Sequence, residues 1–175
     1  PKHLNITHDP ESKFGVMADF MDRLRYILNN RAVYIIYTLQ LIFFLEYLTA
    51  PVLIAPFARN ILHANVGQFG KIEMALSIGA VLGGFFMAWA ADKFGMMRTL
   101  LVGTILLGIL YVIFSYNTAI LQAELLYFMI GVCFALWPLV ITRAQDITDI
   151  KYQGRVQSCF SSLSGLLILG IYLLV

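Results

Sequence analysis

Long apolar runs separated by short polar breaks set the rhythm of this chain. Five runs stand out, over about 32–57, 72–91, 99–116, 121–142 and 156–175. Each is close to the roughly 20 residues that an α-helix needs to cross about 30 Å of hydrocarbon. The breaks read ARNILHANVGQFGK, DKFGMMR, NTAI and RAQDITDIKYQGR. Exposed backbone is not tolerated in lipid, so the pattern predicts an all-α membrane protein, a bundle of five transmembrane helices joined at the two surfaces. Ahead of the first run, Phe14, Met17, Phe20, Met21, Leu24, Ile27 and Leu28 recur at helical spacing between polar residues. That spacing predicts an amphipathic helix lying on the membrane surface. The domain reading is therefore a polar leader over 1–31 and a five-helix unit over 32–175.

Composition agrees with the pattern. Hydrophobic residues make up 60% of 175 and charged residues 13%, with a mean hydropathy of +0.80, which is membrane rather than soluble chemistry. A formal net charge of only +2 gives no basic surface for nucleic acid. The placement of charge is more telling than its total. If the runs alternate in direction, Lys2, Lys13, Arg23, Arg25, Arg31, Lys93, Arg98, Arg143, Lys151 and Arg155 fall on one side, with Arg59 and Lys71 on the other. The crowded side reads as cytoplasmic, which places the leader and the break after the second run inside. Cys133 and Cys159 lie within apolar runs with no CxxC and no neighbouring His, so both read as buried structural thiols.

That inner break, Ala88, Trp89, Ala90, Ala91, Asp92, Lys93, Phe94, Gly95, Met96, Met97, Arg98, resembles the signature loop of the major facilitator superfamily. Asp92, Lys93 and Gly95 match by type and spacing, whereas Ala88 replaces a Gly, Met96 and Met97 replace basic residues, and Arg98 comes late. The weakened form resembles the second copy of the loop, between the eighth and ninth helices of a twelve-helix protein. The resemblance thus implies the second half of an efflux-type member, helices seven to eleven, with the leader as the loop between halves. A first-half fragment is the alternative. It also implies a conformational latch built from Asp92, Lys93, Gly95 and Arg98 with Asp146 as acidic partner. Asp92 would accept hydrogen bonds at a neighbouring helix N-terminus, and Arg98 would pair with Asp146. A turn that only sets topology is the plainer reading of the same residues.

Within the first run, Glu46 costs about 2.5 to 3.5 kcal/mol on insertion scales and must face protein or water. It is a candidate proton carrier, or else a structural Glu bonded to a neighbouring helix or reaching toward Arg59. Tyr37, Gln40, Phe44 and Tyr47 share another sector of that helix, a stripe that suits either an amphiphilic substrate path or interhelical packing. Trp137 beside Pro138 can kink the fourth run and contact substrate or fill space, and Pro51 and Pro56 can bend the first. Gly79, Ala80, Gly83, Gly84 and Ala88 form small-residue patterns for close helix approach, and Ser158, Ser161, Ser162 and Ser164 can bond across helices.

No Walker loop, HExxH or GxSxG motif is present, so the reading is no enzyme and no cofactor. The expected function is secondary transport: proton-coupled efflux of a small amphiphilic molecule by alternating access. Expected partners are that molecule, protons, the lipid bilayer and the other half of the fold, in a bacterial inner membrane. A non-transporting scaffold that keeps the fold is the alternative.

Overall fold

The computed structural model describes residues 30–148 and 150–174, with positions 151, 152, 155, 159 and 174 described by their backbone alone. The amphipathic leader expected before residue 30 lies outside the described residues. Six helices follow: α1 (Arg31–Asn60), α2 (Val66–Phe94), α3 (Met96–Ser115), α4 (Ile120–Phe134), α5 (Trp137–Ile147) and α6 (Ile150–Leu174). No strand occurs among the described residues. Among the described residues five stretches are long and apolar enough to cross a membrane, with α4 and α5 together forming one, so the fold is an all-α membrane bundle.

The helices begin where local chemistry starts them. Asn30 caps α1, its Oδ1 accepting from the backbone N–H of Ala32 at 3.2 Å. Asn65 and Gln68 form a reciprocal capping box at the start of α2, both bonds 2.9 Å. Buried Asn117 folds the turn between α3 and α4, donating to the Ala119 carbonyl at 2.9 Å and accepting from its N–H at 3.1 Å. Between α2 and α3 the break is one residue, Gly95, with φ +90. That backbone angle strains any residue with a Cβ, which is why glycine stands at this turn.

Helices extend further than the apolar runs. α1 continues through Pro51 and Pro56 to Asn60, and α2 begins at Val66 and includes Lys71, Asp92 and Lys93. Backbone hydrogen bonds remain favourable beyond the hydrocarbon, so helices run on into polar sequence. The fourth run is two helices rather than one, interrupted at Ala135 and Leu136 ahead of Pro138, which sits in the first turn of α5. The last helix begins at Ile150 instead of Val156.

Packing is closest between α2 and α4. A methyl group at Gly79 would run into the Phe128 carbonyl, and one at Gly83 into the backbone of Val132. The pairing of 79 with 128 and 83 with 132 shows the two helices running in the same direction. Gly84 meets nothing and Ala88 is exposed, so only part of the expected small-residue pattern is used. On the other side α1 leans on α5 and α6, where Phe43 meets Trp137 and Phe44 meets Phe160, and Ile36, Val140 and Val156 of these helices are fully buried. Three of the four serines expected to bond across helices instead bond within α6: Ser158 donates to Gly154, Ser162 to Ser158 and Ser164 to Phe160, at 2.8, 3.0 and 2.8 Å.

Gly83→Ala should force α2 from α4 and lower stability by about 1–3 kcal/mol, whereas Gly84→Ala should leave it unchanged. Thermal unfolding of the two variants in detergent checks this difference, and equal behaviour would refute the packing assignment.

Candidate functional site

Glu46 lies in the body of α1, where a carboxyl can survive only with partners supplied by protein. Tyr111, about one turn from the C-terminal end of α3, supplies one: its hydroxyl donates to Glu46 Oε1. The second oxygen, Oε2, is buried and has no hydrogen-bond partner among the described residues. Of the alternatives for this acid, the bond to a neighbouring helix is formed, and the reach toward Arg59 is not.

Glu46 and Tyr111 border two cavities. The larger, about 460 Å³, is walled by Thr49, Leu53, Ile54 and Phe57 of α1, Phe114 and Ser115 of α3, and Tyr127 of α4. The smaller, about 210 Å³, adds Tyr47 and Pro51 of α1, Glu73 and Leu76 of α2, and Phe134 of α4. Tyr127 lines both, its ring 5.3 Å from that of Phe114. A second carboxyl, Glu73, therefore faces the same space as Glu46 from another helix.

The aromatic and polar stripe of α1 divides between packing and cavity. Tyr37 is buried with its hydroxyl 3.2 Å from Thr148 Oγ1 and its ring 5.8 Å from Phe160. Gln40, 1% exposed, places Nε2 at 3.5 Å from Gln157 Oε1, and its own Oε1 is buried without a donor among the described residues. Phe44 stacks on Trp137 at 6.1 Å, and Trp137 also lies against Phe43, so this tryptophan fills the seam where α4 gives way to α5. Tyr47 stacks on Phe134 at 6.1 Å, yet is 58% exposed and lines the smaller cavity. Stripe and acid, which helical periodicity puts in different sectors, thus meet at Tyr47.

The cassette between α2 and α3 sits apart from these cavities. Asp92, Lys93, Gly95 and Arg98 are exposed, as is Asp146 near the end of α5. Lys93 Nζ lies 4.8 Å from the ring centre of Trp89 and 5.4 Å from that of Phe94, a cation held over two aromatic faces. The expected pairing of Arg98 with Asp146 is not formed: among the described residues neither Asp92 nor Asp146 has a cationic nitrogen within 4.0 Å. Nor does Asp92 cap the adjoining helix, since the N-terminus of α3 carries no side-chain cap. The physical reason is geometric: a one-residue turn leaves Asp92 on the last turn of α2, before the chain reverses. Arg143 on α5 has its Nε buried without an acceptor among the described residues.

Cys133 is a buried free thiol, as its apolar setting implies, and the side chain of Cys159 lies outside the described residues. No group of three His, Cys, Asp or Glu residues suited to a metal occurs among the described residues. Tyr111, Tyr127 and Glu73 escaped the reading of the sequence. Only Glu73 carried a signal there, as an ionisable residue just inside the second apolar run.

Because Tyr111 is the partner Glu46 has, Tyr111→Phe should cost about 1–3 kcal/mol of stability, and much less in a Glu46→Leu background. Additive losses in thermal unfolding of the double variant would contradict this coupling.

Residues 17–174 match the family model described as Major Facilitator Superfamily. No curated protein and no solved structure matches.

Proposed function

Because the chain belongs to the major facilitator superfamily, and is thus a membrane transporter chain, we propose that it moves a small amphiphilic molecule outward in exchange for protons. The observation that carries this reading is Glu46: a carboxyl deep in a helix, held by one tyrosine through one oxygen, with the other oxygen buried and unpartnered beside a cavity of about 460 Å³. An orphaned acceptor in low dielectric costs about 1–3 kcal/mol, a cost that a part in proton exchange would offset. A carboxyl that alternately holds a proton and faces a ligand keeps one oxygen free for that exchange. The cavity walls are mostly apolar with a few convergent hydroxyl and carboxyl groups, the lining that suits an amphiphile.

Alternating access requires contacts that form in one state and break in another. Exposed Asp92 and Asp146, and Arg143 with its unpartnered Nε, lie toward the same end of the bundle and supply groups for such a latch with the other half of a twelve-helix fold. The excess of Lys and Arg at that end supports a cytoplasmic placement in a bacterial inner membrane, with residues 1–31 on the same side as a loop between halves.

In proteoliposomes, efflux of an amphiphilic fluorescent dye should require a proton gradient, and Glu46→Gln should abolish that requirement or the flux itself. Flux indifferent to both the gradient and the substitution would reject proton coupling. Orientation has a separate check. In a variant without Cys133 and Cys159, a cysteine at His63 should react with impermeant maleimide from outside intact cells, and one at Lys93 only after permeabilisation. The reverse pattern would overturn the orientation.

A further inference from the structure

Chemistry on the walls of the paired cavities narrows the ligand class. Two carboxyl groups, Glu46 and Glu73, reach the smaller cavity from different helices, together with the rings of Tyr47, Tyr111, Tyr127 and Phe134. No Lys, Arg or His among the described residues lines either cavity. Among the described residues neither carboxyl has a cationic nitrogen within 4.0 Å, and Glu46 Oε2 has no donor at all. Two like-charged groups facing one space in a low-dielectric bundle repel unless a proton or another cation stands between them. Aromatic faces add to that preference, since their quadrupoles attract cations and attract weakly hydrated organic cations best once water is excluded. The adjoining larger cavity offers Leu53, Ile54, Phe57 and Phe114 to apolar arms.

We propose that the cavities between α1, α2, α3 and α4 bind a lipophilic organic cation, its charged centre between Glu46 and Glu73 against the tyrosine rings and its apolar arms toward Phe57 and Phe114. A neutral amphiphile without a hydrogen-bond donor would fill the same apolar volume and leave Glu46 Oε2 unpaired, and an anion would face two acids with no compensating base. This assignment deepens, and rests on, the reading of the cavity as a transport site.

Equilibrium dialysis of the purified full-length protein against tetraphenylphosphonium, neutral triphenylphosphine oxide and the anion tetraphenylborate tests it. The cation should bind, and Glu46→Gln and Glu73→Gln should each weaken it by about tenfold or more, while Glu46→Asp retains most of the affinity. Glu73 is only partly buried, so its Gln variant still decides the outcome if Glu46→Gln fails to fold. Tight binding of the neutral or anionic probe with no preference for the cation, or cation binding unchanged in both Gln variants, overturns the cation assignment and leaves a transport cavity for another ligand class. If no probe binds and gradient-driven flux is also absent, the transport reading falls with it.

Discussion

Backbone contact between α2 and α4 is the constraint from which the remaining geometry follows. Helices normally stand 8–10 Å apart, but the missing side chains of Gly79, Gly83 and Gly131 let these two touch, carbonyl against Cα. Lipid tails offer helices no hydrophobic reason to associate, so van der Waals contact of this kind is what holds neighbours together in a bilayer. Locking α2 to α4 fixes Glu73 beside Tyr127 on one wall. The seam of α1 against α5 and α6 then fixes the facing wall, and the space left between them is the cavity.

The break at Ala135 and Leu136 serves the same end. A straight fourth span would carry Trp137 and Val140 on the line set by α4. By restarting at α5, the chain can satisfy the α2 contact above the break and the α1 contact below it. Phe43, Phe44, Phe134 and Trp137 fill the joint with ring contacts of 6.1 to 6.5 Å. Above that joint α1 is less closely covered, and there Glu46 finds Tyr111 of α3 rather than a packed interior.

Much of the fold was readable from the chain because bilayer physics leaves few options. Apolar runs of membrane-spanning length, the polar breaks and the family resemblance around Asp92 and Gly95 all announced the bundle, and Pro138 announced the interruption of the fourth span. Helix ends were less legible, since Arg59, Lys71, Asp92 and Lys93 look like loop residues in a hydropathy profile and are helical in fact. Glu46 was legible because an acid in an apolar run is expensive. Its partner was not, for Tyr111 is distant in sequence and looks like any interfacial tyrosine. Asp92 and Asp146, which the resemblance pairs in a latch, have no cationic partner among the described residues, and spacing along the chain does not show which polar groups meet across a bundle.

Helix packing explains why a cavity exists, and the unpaired oxygen of Glu46 is what supports the use we propose for it. We propose that the Glu46 carboxyl gives up a proton when the cavity is used. Infrared difference spectroscopy of the purified protein, recorded as pH is raised or as tetraphenylphosphonium is added, tests it most directly. Both experiments should show loss of a protonated-carboxyl C=O stretch, a band absent from Glu46→Gln. The same band persisting in Glu46→Gln, or no carboxyl change in either experiment, would contradict it.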